Sequence, residues 1–251
     1  MRSLKTKIYK FDFWFCFGVE SAAFLGLYVS WGGLHIGPGT ASLVYFGAAV
    51  LYAAVTAAIV AWLAPRAGVT PVPLFESWWL GQLRIRMATA RVVAAAGIGA
   101  ATSYLAYYYG MALTGWLGTA VPKALLKRHT GSSVLDFCCE AILEEILNRA
   151  IIFVALIVLA RWGSRLLSRT SEMAAIWTAN LLQALIFGGA HVALGLGVPR
   201  GRPWYVRLPL STQTWSGLIL GWIYWKYGLE SAIACHATFD IAIAKMIPTL
   251  R

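Results

Sequence analysis

Residues 134–160 read VLDFCCEAILEEILNRAIIFVALIVLA, and the last eleven of them carry no charge at all. At about 1.5 Å per residue, a helix of this length reaches across a hydrocarbon layer of about 30 Å. Yet Glu140, Glu144, Glu145 and Arg149 sit inside it. An ionisable side chain near the bilayer centre costs about 2.5–3.5 kcal/mol on insertion scales, so the cluster requires a compensating role. The run therefore reads as a membrane span built around chemistry.

The rest of the chain supports a membrane setting. Hydrophobic residues make up 59% of the 251 and charged residues only 12%. Too little polar surface remains to clothe a water-soluble globule of this size. Disorder, collagen and coiled coil are excluded by the same composition. The net charge of +11 sits almost entirely between apolar runs, where it suits anionic headgroups and gives no support to nucleic-acid binding. Cys16, Cys138, Cys139 and Cys235 form no CxxC and read as small buried hydrophobes.

The spacing predicts an all-α, polytopic integral membrane helix bundle of about seven spans (range six to eight), as one transmembrane domain over 1–251. The spans are expected near 11–31, retained and not a cleaved signal, 40–63 ended by Pro65, 92–116, 134–160, 173–194, 212–227 and 229–248. Thr170 or Ser171 is placed to cap the fifth. Between Pro71 and Arg91, Phe75, Trp78, Trp79 and Leu83 alternate with Arg84, Arg86 and Arg91, which predicts an amphipathic helix lying at the interface. Basic connections are expected around Lys123, Lys127 and Arg128 and across Gly197–Pro209. A cytoplasmic N-terminus places 12 Lys and Arg inside against 8 outside.

Catalytic candidates concentrate in 134–248. On a helix Glu145 and Arg149 are four apart, an ion pair, while Glu140, Glu144 and Asn148 share a face. His191 ends Phe187-Gly-Gly-Ala-His191 in the fifth span, and His236-Ala-Thr-Phe-Asp240 places His236 and Asp240 one turn apart in the last. Gly188 and Gly189 admit a close neighbour, helix or substrate. Such a set suits hydrolysis: Glu144 and His191 remove a proton from water, and donors opposite stabilise the oxyanion. Zinc-activated water is the alternative. No HExxH is present, which favours the metal-free route without cofactor or metal. Glu20 in the first span is left without a role.

Glu144-Glu145-Ile-Leu-Asn-Arg149, Phe187-Gly-Gly-Ala-His191 and His236-Ala-Thr-Phe-Asp240 resemble, in that order, the EExxxR, FxxxH and HxxxN/D motifs of the CPBP family of CAAX proteases and bacteriocin-processing enzymes, also called Abi. That family contains the Rce1-type prenyl-protein proteases. The resemblance implies an intramembrane glutamic endopeptidase with Glu144 as general base and His191 positioning the water. It further implies His236 and Asp240 on the oxyanion side, and Glu145 with Arg149 as a supporting pair. Asn148 departs from the family's usual aromatic residue and is placed to hydrogen-bond Glu144. Asp240 replaces a frequent Asn; an ionised Asp cannot donate, so it is either protonated or orients His236. The implied partners are the lipid bilayer and a membrane-associated protein or peptide substrate, and the implied location is a bacterial or archaeal cytoplasmic membrane. A prenyl-CAAX-specific enzyme is the narrower reading, and a non-catalytic membrane scaffold or immunity protein the rival from another class.

Overall fold

The computed structural model describes residues 2–30, 40–81, 84–116, 133–167, 171–193 and 204–246. Every regular element among the described residues is helical. They are α1 (Arg2–Ser30), α2 (Thr40–Ala67), α3 (Pro73–Trp79), α4 (Ile85–Trp116) and α5 (Val134–Glu145), then a π-helical stretch (Ile146–Phe153), α6 (Val154–Leu167), α7 (Glu172–Ala193), α8 (Trp204–Tyr227) and α9 (Leu229–Met246). Two helical segments, Val44–Ala67 and Glu172–Ala193, are long and apolar enough to cross a membrane by length and composition.

Most boundaries lie close to those expected, and the departures have local causes. Pro65 does not end α2: the helix runs on to Ala67 and closes at Gly68, whose φ of 59° lets Gly68 N–H donate to Pro65 O and Val69 N–H to Ala64 O. The interfacial helix expected over Pro71–Arg91 is shorter. Gly81, at φ 67°, follows the end of α3, and Arg86 and Arg91 belong to the start of α4. Helix α8 begins at Trp204, upstream of Pro209, while residues 194–203 and the basic connection at Lys123, Lys127 and Arg128 lie outside the described residues. Ser171 caps α7, its Oγ accepting from Ala174 N–H at 3.2 Å. Ser133 and Asp136 form a reciprocal capping box on α5.

The helical segment from Val134 to Leu167 is the element that differs in kind. Its middle is π-helical, a wide turn with i→i+5 bonding that frequently marks functional positions. Around it packs one apolar core, including Cys16, Val60, Ile146, Phe153, Ile157, Leu220, Ile223 and Leu229. Helix α9 runs against α4 and α5, α7 against α8, and α1 against α2 and α5. The α4–α9 approach is close at Gly99, where any Cβ would overlap the Cys235 carbonyl. Glu20 is fully buried in α1 and accepts from the Thr56 hydroxyl of α2, which satisfies one of its oxygens within the bundle. Outward faces are apolar too: Val44, Leu51 and Trp62 on α2 and Leu181, Leu182 and Ile186 on α7 are exposed. An apolar exterior around a core this well filled suits lipid better than water.

Candidate active site

Three elements deliver the site. The end of α5 and the π stretch carry Glu144, Glu145, Asn148 and Arg149. The C-terminal part of α7 carries Phe187 and His191, and α9 carries His236 and Asp240.

Glu145 and Arg149 form the ion pair expected from their spacing. Arg149 Nε donates to Glu145 Oε2 at 3.0 Å, with both side chains fully buried. The second oxygen of Glu145 has a partner that spacing did not show: His236 Nδ1 donates to Glu145 Oε1 at 2.8 Å, across 91 residues of chain. A carboxylate accepts only, so the proton on that edge of the ring belongs to Nδ1 and His236 turns Nε2 toward the site. Two further carboxylates lie beside Nε2, Asp240 Oδ2 at 3.5 Å and Glu144 Oε2 at 3.8 Å.

Glu144 and Glu145 are thus adjacent in sequence and opposite in setting. Glu145 has both oxygens engaged and no exposure, whereas the Glu144 side chain is 36% exposed and its buried Oε2 has no hydrogen-bond partner among the described residues. Asn148 does bond Glu144, but at the backbone: its Nδ2 donates to the Glu144 carbonyl at 2.8 Å, which leaves the carboxylate unencumbered.

His191 stands apart from this hydrogen-bonded group. Its Nδ1 donates to Phe187 O at 2.9 Å, which leaves Nε2 as the acceptor edge of the neutral ring, and it shares no direct hydrogen bond with Glu144. What joins it to the rest is Phe187, which sequence reading placed in a motif without a role. The Phe187 ring lies 4.6 Å from the His191 ring and 6.1 Å from that of His236, both edge-on, with the Arg149 guanidinium 5.1 Å from its centroid. Phe187 therefore packs against three of the polar side chains and covers the buried cation. The two glycines beyond it divide the uses expected of them. Gly188 is pressed against Thr214 and Leu210 of α8, while a side chain at Gly189 would meet nothing within 4 Å.

Among the described residues, no three His, Cys, Asp or Glu side chains are arranged to hold a metal ion. The arrangement present is one of proton handling: an open carboxylate, a histidine fixed in tautomer and angle by a buried ion pair, and a third carboxylate on the same ring nitrogen.

Residues 126–242 match the family model for type II CAAX prenyl endopeptidase Rce1-like proteins. The match covers just under half of the chain, and it is a likeness of this stretch to that family. The matched segment contains Glu144, Glu145, Asn148, Arg149, Phe187, His191, His236 and Asp240. No curated protein and no solved structure matches it significantly.

Proposed function

We propose that this chain is a multi-pass membrane endopeptidase of about seven spans, forming a single domain in a bacterial or archaeal cytoplasmic membrane. It hydrolyses a peptide bond near the end of a membrane-associated or lipid-modified protein by a glutamate-activated water, without metal or cofactor. The observation that carries this reading is the Glu144 carboxylate, on a partly exposed side chain, with Oε2 unpartnered among the described residues and 3.8 Å from a His236 ring whose other nitrogen is held by the Glu145–Arg149 pair.

In this mechanism Glu144 removes a proton from water, His191 Nε2 helps hold that water, and the resulting hydroxide adds to the scissile carbonyl. Negative charge develops on the carbonyl oxygen opposite, where His236 is the nearest group able to donate. Collapse of the tetrahedral adduct breaks the C–N bond, and Glu144 returns its proton to the departing amine. Asp240, 3.5 Å from His236 Nε2, orients the imidazole and favours a proton on that nitrogen. The family description favours a prenylated C-terminal Cys sequence as the narrower substrate class.

The test is mass-spectrometric mapping of new protein termini in native-host membranes, with wild type and Glu144→Gln at matched expression. Termini that vanish in the variant are expected, and they identify substrate and cleavage site together. Identical profiles, with both proteins folded and present, would overturn the protease reading in favour of a scaffold.

A further inference from the structure

A second site lies at the far end of the bundle. A cavity of about 470 Å³ opens where the end of α2 and the turn after it meet α6, the start of α7 and the end of α8. His191 is nineteen residues along α7 from Glu172, about 28 Å at 1.5 Å per residue. The catalytic residues and this cavity therefore belong to opposite ends of α7, a separation close to the thickness of a hydrocarbon layer.

Its walls combine two chemistries. Arg161, Glu172 and Lys226 are the charged residues lining it. Arg161 is paired with Glu172 and donates to the Ala67 carbonyl, so those two charges cancel. Among the described residues Lys226 has no carboxylate partner; its ammonium sits over the Trp225 ring at 4.0 Å from the centroid. The cavity therefore keeps one uncompensated positive charge. Tyr224 also lines it, 1% exposed, with a hydroxyl that has no hydrogen-bond partner among the described residues. Ile157, Met173 and Ile176 make the remaining wall apolar.

We infer that this cavity binds the phosphate headgroup of an anionic phospholipid, in the leaflet opposite the catalytic residues. Lys226 takes the phosphate, and Tyr224 is the buried donor nearby. Trp225 occupies the headgroup level, where amphipathic rings settle, and the Ile157–Met173–Ile176 wall receives the first acyl carbons. A free phosphate would use the same cation but not the apolar wall. The inference rests on the membrane setting and not on the assignment of Glu144.

The experiment is native mass spectrometry of the full-length protein released from nanodiscs, scoring retained phosphatidylglycerol against phosphatidylcholine, for wild type, Lys226→Gln, Lys226→Arg and Glu144→Gln. Wild type, Lys226→Arg and Glu144→Gln should retain phosphatidylglycerol preferentially. Lys226→Gln should lower that preference about fivefold, the effect of one basic residue near a membrane surface. Equal retention of the two lipids by wild type, or an unchanged preference in Lys226→Gln, overturns the inference. Displacement of the lipid by millimolar inorganic phosphate would assign the site to a free anion and overturn it as well. Because Glu144→Gln abolishes the proposed cleavage and not lipid retention, failure of one reading is separable from failure of the other.

Discussion

Arg149 is fully buried, its Nε bonds Glu145, and Nη1 and Nη2 have no hydrogen-bond partner among the described residues. Its ion pair is with Glu145, which also fixes His236. Removing one member of such a pair strands the other in an apolar interior, at about 3–5 kcal/mol. Arg149→Leu should therefore lower the thermal midpoint of the detergent-solubilised protein sharply. The double variant Arg149→Leu/Glu145→Gln should recover part of that loss, because no ionised carboxylate is then buried against leucine. A double variant less stable than the single one would show that the pair matters for something other than charge balance. The residue scale is also where the sequence was most informative. Four-residue spacings located Glu145 with Arg149 and His236 with Asp240, because a helix puts i and i+4 together whatever surrounds it. The Glu145–His236 bond and the position of Phe187 between two histidines depend on how α5, α7 and α9 cross, and no local spacing records a crossing.

Helix α3 is the element whose attachment depends on pH. Glu230, at the start of α9, accepts from Leu74 and Phe75 N–H at 3.0 and 3.1 Å and so holds the first turn of α3. Phe75 stacks on Phe15 and Trp79 on Phe11, which ties the same short helix to α1. Glu76 lies in that first turn, and burial pushes its carboxyl above the ordinary Glu range. A carboxyl whose folded-state value is raised costs nothing while both states hold the proton. As pH climbs past about 4.3 the unfolded chain ionises first, and stability is lost until the folded form ionises too. Glu76→Gln lacks this loss. Its thermal midpoint should match wild type near pH 4 and exceed it increasingly toward pH 7; a constant offset across that range would refute the linkage. In the sequence, alternating aromatics and arginines predicted a helix here, and the structure forms a short one at Pro73–Trp79. Its early end was carried by Gly81, whose positive φ is one of several conformations open to any glycine.

Across the whole molecule, catalytic geometry depends on helices that contribute no catalytic side chain. Gly99 of α4 touches the backbone of Cys235, the residue before His236. Gly99→Ala requires α9 to move or tilt, an overpacking that costs about 1–3 kcal/mol. It should reduce kcat for peptide cleavage by at least tenfold while leaving the protein helical and membrane-inserted; wild-type turnover would mean that α9 tolerates displacement. The all-helical character of the described residues was legible from apolar runs of the right length, since composition and length alone fix that much. Which helices lie side by side was not, because in lipid almost every helix face is apolar and the pattern no longer marks the buried side.

The π stretch from Ile146 to Phe153 has a bearing on sequence alignment. A wide turn holds more residues than the α turn it replaces, so this span carries a local surplus relative to a regular helix of the same height. Excising a single residue, for example the 40% exposed Leu147, would leave hydropathy and length almost unchanged. It would let the wide turn close to a regular α turn, so that the helix on either side keeps the face it presents now. Only the residues inside the turn, Asn148 and Arg149 among them, would change their facing. A single-residue gap in this stretch is therefore absorbed locally, whereas the same gap in the regular helix on either side turns everything beyond it by about 100°.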